Sequence, residues 1–222
     1  MSDPTLAEAT EPRYPRFGRR FNPDGNERLT ATVGLVLVVL SVVEIATLLL
    51  GLQSTLHLHV FVGLVLLPPI ALKLASTGWR FARYYTRNQA YRLKGAPQLL
   101  MRMLAPLLVA ATVVLFGSGV AMGLVHGHAL QVARRLHGPA SVIWMVTLGI
   151  HVLVYASRAL HATGEELKAR TRREVAGARI RAYLVAAALA AGLIVGLATL
   201  PAQHHWLHLG SHDHGNARQG TR

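Results

Sequence analysis

Five stretches of this chain are dominated by apolar residues: 31–52, 56–72, 99–125, 140–156 and 182–200. Each reaches or approaches the roughly 20 residues of helix that cross a hydrocarbon core of about 30 Å. A helix in a soluble domain shows one apolar stripe and one polar face. These runs have no polar face. The pattern therefore predicts an all-α fold, an integral membrane helical bundle of about five transmembrane helices in a domain covering 30–200. Residues 1–29 read as a disordered polar leader with no apolar stretch that would make a cleavable signal peptide. Residues 201–222 read as a histidine-rich tail.

The breaks between the runs suggest local structure. The stretch "GLQST" predicts a short turn, with Ser54 or Thr55 capping the second helix. Pro68 and Pro69 lie inside that helix and should kink it, since each removes a backbone donor. The third helix contains "GSGVAMG", placing Gly119 and Gly123 at the spacing that lets helices approach closely or leaves room for a flat ligand. His137 is expected to open the fourth helix. The charged stretch "EELKARTRREVAGARIRAY" reads as a separate cytoplasmic helix. In the fifth run Ala188, Gly192 and Gly196 form one small-residue stripe, which suggests packing alone.

Composition agrees with a lipid environment: of 222 residues, 52% are hydrophobic and 15% charged, and mean hydropathy is +0.35. The formal net charge of +13 changes the picture only through its placement. Nineteen Lys and Arg fall before the first run, between the second and third, and between the fourth and fifth; four fall on the opposite side. Such a bias marks the cytoplasmic side, so the N-terminus is expected inside and the C-terminus outside. Basic charge used in this way does not call for a nucleic-acid partner. The chain has no cysteine, which excludes disulfides, iron–sulfur ligation and covalent c-type haem attachment.

The twelve histidines are the candidate chemistry. His57 and His59 begin the second helix, His126 and His128 follow the third, and His137 begins the fourth. All five share the outer side with the tail residues His204, His205, His208, His212 and His214, whereas His151 and His161 lie towards the cytoplasm. His59 and His137 fall at matched depth on two descending helices, and two neutral imidazoles from different helices are the ligand set of a six-coordinate b-type haem. His57 is about 200° round the helix from His59, so one of the two faces the bundle. Gly63 and Leu66, one and two turns on, extend the His59 stripe, with Gly63 leaving space beside a ring edge. Within "LHGPASVIWMVTLGIH", His137 and His151 are separated by about 21 Å of helix rise yet lie within roughly 40° of one face.

The segments "LHVFVGLVLLPPIALKLASTGWRF" and "LHGPASVIWMVTLGIHVLVY" resemble the bacterial membrane b-type cytochromes, the group that includes the four-helix cytochrome subunits of formate dehydrogenases and hydrogenases. The likeness covers roughly 30–160, and within the group it is nearest to small actinobacterial-type membrane proteins. It implies a four-helix haem-binding core plus one further helix, in the bacterial inner (plasma) membrane. In such cytochromes one helix often carries two histidines fourteen apart, one for each of two stacked haems. His137 and His151 match; fourteen residues after His59, however, stands Lys73. One outer haem b on His59 and His137 is therefore favoured over two, with Lys73 and His151 as the second pair if there are two. On the one-haem reading His151 is a relic, a hydrogen-bonding residue or part of a quinone pocket.

The expected role is an electron-transfer subunit, passing electrons between the quinone pool and a redox partner on the outer side. A stand-alone enzyme is less expected, because no acid–base constellation is visible. The alternative is a haem-free protein handling metal ions through His57, His59, His126, His128 and the tail, since imidazole suits Zn, Cu or Ni. The tail reads equally well as a plain polar end. Glu44, the only acid within any apolar run, is either a hydrogen-bonded carboxyl at a helix contact or a proton-relay group for quinol chemistry.

Overall fold

The computed structural model describes residues 23–86, 99–172 and 177–203. These residues form five helices: α1 (Pro23–Leu49), α2 (Leu52–Tyr85), α3 (Leu99–Leu124), α4 (Gly127–Arg172) and α5 (Ala178–Ala198). No strand occurs among them. All five are long and apolar enough to cross a membrane. The chain is an all-α helical bundle with the character of a multi-pass membrane protein.

The outer surfaces of the helices explain why lipid is the fitting solvent. Leu153 is 83% exposed, Leu49 83% and Met103 76%, in the company of many exposed Val, Leu and Ile side chains. A continuous apolar surface of that kind would associate in water. The interior is correspondingly small-grained. Ser41, Thr47, Ser76, Thr112, Ser118 and Thr147 are buried beside Val33, Val62, Leu66, Ala111 and Ala140. Between apolar helices in lipid, small residues and short hydroxyls supply close packing and local hydrogen bonds.

α1 packs along α2 and also touches α4; α4 lies along α3; α2 and α3 barely meet. The first four helices thus make a loosely closed ring, and α5 docks on the outside of α2. Two contacts define the α3–α4 pair: Trp144 Nε1 donates to Thr112 Oγ1 at 3.0 Å, and the Trp144 and Phe116 rings meet edge to face. On α5, any side chain at Gly192 would run into the Val65 carbonyl, and one at Gly196 into the Phe61 ring. The small-residue stripe is a close helix–helix contact.

Helix ends differ from the hydropathy pattern. α1 begins at Pro23, inside the stretch read as leader. α2 begins at Leu52 after Gly51, whose φ of 99° is glycine-favoured. Ser54 and Thr55 are therefore first-turn residues rather than caps, and their hydroxyls donate back to the Gly51 carbonyl. α2 runs through Pro68 and Pro69 as one helix. α4 starts ten residues before His137 and continues to Arg172, so the first part of the charged stretch belongs to it. At 46 residues it is about 69 Å long, well beyond a bilayer core. The last described residues, 200–203, are helical.

Candidate functional site

The site is built on the buried face of α2 and the α3–α4 contact. Along α2 the buried residues Val62, Val65, Leu66 and Pro69 mark the inward stripe. His59 sits above them and is half-buried, whereas His57 is exposed. On α4 the buried stripe runs through Ala133, Ala140, Trp144 and Thr147, and His137 lies within it. The two rings meet with centres 6.4 Å apart and planes at 89°. The pair selected by depth in the sequence is brought together.

Each ring is held by its Nδ1 edge. At His59, Nδ1 lies 2.9 Å from Glu44 Oε1 and 3.1 Å from Thr47 Oγ1. The Thr47 hydroxyl donates its one hydrogen to the Glu44 carbonyl at 2.6 Å, so towards His59 it can only accept. At His137, Nδ1 lies 3.1 Å from the Leu115 carbonyl and 3.2 Å from Ser118 Oγ. Ser118 in turn donates to that same carbonyl at 2.9 Å. Both histidines are thereby assigned as Nδ1–H tautomers, each donating to an acidic or carbonyl oxygen and a hydroxyl. Nε2 is left as the lone-pair nitrogen on each ring. That tautomer, fixed by a partner on the other nitrogen, is the form in which histidine ligates metals.

A Cβ at Gly119 would stand 3.3 Å from His137 Cε1, so α3 admits the ring closely because that position has no side chain. A Cβ at Gly63 would meet the Glu44 carboxyl at 3.4 Å, an ordinary contact. Glu44 reaches from α1 to His59 on α2. Thr47, Ser118 and the Leu115 carbonyl were not apparent from the sequence, although "GSGVAMG" and the Glu44–Thr47 spacing mark where they fall.

His151 is elsewhere. Its ring packs on Tyr155 with centres 4.9 Å apart, and its Nδ1 is buried with no hydrogen-bond partner. Lys73 Nζ donates to the Thr30 carbonyl of α1 at 2.6 Å and presses against Gly34, where a Cβ would be only 2.8 Å away. Around it, Asn26 Nδ2 donates to the Ser76 carbonyl and Thr30 Oγ1 to Ser76 Oγ, both at 3.0 Å. This polar clasp ties α1 to α2. His126 and His128 are exposed, and the tail histidines 204, 205, 208, 212 and 214 lie outside the described residues.

The donor set is selective about what it can hold. Among the described residues no three His, Asp or Glu side chains gather into a metal-binding group, so a bare ion would find too few ligands. A metal that brings its own equatorial ligands needs only two axial donors. His59 and His137, in edge contact with ring centres 6.4 Å apart, supply two such donors. Elsewhere, the slack between α2 and α3 leaves an apolar groove of about 380 Å³, lined in part by Leu67, Ile70, Phe116 and Gly117 and by neither histidine. By donor type, two imidazoles with Nδ1 engaged suit a haem. No family model, curated protein or solved structure matches the chain.

Proposed function

We propose that this chain is a b-type cytochrome-like electron-transfer subunit of a bacterial plasma membrane, with His59 and His137 as axial ligands of one haem b. The observation that carries the reading is the approach of two imidazoles to 6.4 Å, both with Nδ1 engaged and Nε2 free for a metal. When bound, haem supplies reversible one-electron exchange between ferric and ferrous iron. The chain's own contribution is to present two lone pairs, hold both rings by hydrogen bonds, and surround them with low-dielectric helices.

A single haem is favoured because Lys73 donates to the Thr30 carbonyl and so is committed to the α1–α2 clasp. His151 then has no opposing ligand. With the haem near one end of the bundle, the quinone or redox protein it serves is expected on that same side, which the charge bias makes the outer one.

The test is optical. The purified chain should give the α and γ bands of a low-spin b-type haem in a reduced-minus-oxidised spectrum, with one haem per chain by pyridine haemochrome. Absence of haem after expression with adequate haem supply, and after haemin addition, would overturn the assignment. Two haems per chain would overturn the one-haem version and restore Lys73 and His151 as a second pair.

A further inference from the structure

We propose that Glu44 is a positioning residue for the candidate site, acting through His59, and that it makes His59 the stronger donor of two unequal axial ligands. Chemical asymmetry between the two supports is the starting observation. His137 is held by neutral oxygens only, the Leu115 carbonyl and the Ser118 hydroxyl. His59 is held by a carboxylic side chain at 2.9 Å together with Thr47. A carboxylate accepting from Nδ1–H raises the basicity of the other ring nitrogen more than a carbonyl does.

Position argues for a role beyond packing. Glu44 is the only acid within any of the five apolar runs. Acids at such depth are costly and are retained facing functional interiors. One oxygen, Oε1, is spent on His59, while Oε2 is buried with no hydrogen-bond partner. An acid kept only to tie two helices together would use both oxygens or be replaced by a neutral amide. On the same helix as Glu44, Thr47 closes the same nitrogen from the other side. Glu44 therefore selects the tautomer of His59, fixes its ring plane and strengthens its Nε2 lone pair. A stronger donor stabilises ferric over ferrous iron and lowers the reduction potential.

The part of this proposal concerning potential rests on the haem reading, and the experiment separates the two. Three full-length proteins are compared in nanodiscs: wild type, Glu44→Gln and Glu44→Ala. Nitrogen-15 shifts of His59 in haem-free wild type should report the Nδ1–H tautomer, and Glu44→Ala should mix the two tautomers. Haemin titration should show about 10–100-fold weaker binding by Glu44→Ala and near wild-type binding by Glu44→Gln, whose amide oxygen still accepts from Nδ1–H. The midpoint potential of Glu44→Gln at fixed pH should move to more positive values, a shift that a purely structural role would not produce. An Nε2–H tautomer in the wild type, or an unmoved potential in Glu44→Gln with haem fully bound, would overturn the proposal. Failure of the wild type to take up haemin would sink the haem reading instead, and the nitrogen-15 result would still decide whether Glu44 sets the His59 tautomer.

Discussion

At the scale of single residues, depth and helical angle separate histidines that composition treats alike. His57 and His59 differ by two positions, yet one is exposed and the other half-buried beside Glu44, as expected when neighbours at that spacing are about 200° apart. His59→Ala and His137→Ala should each abolish stable haem binding, whereas His57→Ala and His151→Ala should keep a low-spin spectrum. Loss of haem in His151→Ala with retention in His137→Ala would move the site to the other end of α4. The histidine pair was legible in the sequence because depth follows from counting residues. Its supports were not. Whether Thr47 or Ser118 turns its hydroxyl towards a ring on another helix depends on packing that periodicity does not encode.

At the scale of elements, hydropathy located each helix among the described residues and misplaced several of their ends. The apolar content of the runs made five spans unmistakable, and Leu99–Leu124 is helical as expected. Ends went astray where helix continues into polar sequence. α1 is already helical at Pro23, in polar sequence, and α4 carries its charged end to Arg172 through Gly164 on the good helix formers of "EELKAR". The small-residue stripe on α5 was legible as packing, but its partner was not, since contact between distant helices leaves no local mark. That contact gives a prediction. Gly192→Leu places a side chain against the Val65 carbonyl of α2, where even a Cβ has no room. It should push α5 away and lower stability by about 1–3 kcal/mol, the usual cost of overpacking, read as a lower Tm in detergent. Haem binding should survive, because α5 contributes none of the residues that hold His59 or His137. An unchanged Tm would mean that α5 is not seated on α2 in the membrane.

At the scale of the whole molecule, the site lies towards one end of the bundle and the Lys73 clasp towards the other. His137 and His151 mark the two levels about 21 Å apart along α4. Which membrane surface each end faces follows from charge alone: nineteen Lys and Arg on one side against four on the other. If that bias sets orientation, the α1–α2 turn near His59 is outside, and the end of α2 at Thr86 is cytoplasmic. Gln53 and Thr86 are both exposed, and the chain has no native cysteine, so single-cysteine variants report without background. A membrane-impermeant maleimide added to intact cells should label Gln53→Cys. Thr86→Cys should react only after the membrane is opened. The reverse result would put the candidate haem at the cytoplasmic surface and its redox partner inside the cell. It would also mean that the long basic ends of α2 and α4 face outward, against the electrostatic preference that orients most multi-pass chains. Labelling of both sites in intact cells would break the pairing of α1 with α2 as antiparallel spans and with it the approach of Glu44 to His59. The expected pattern puts the His59–His137 pair towards one side of the membrane and the positively charged helix ends on the other.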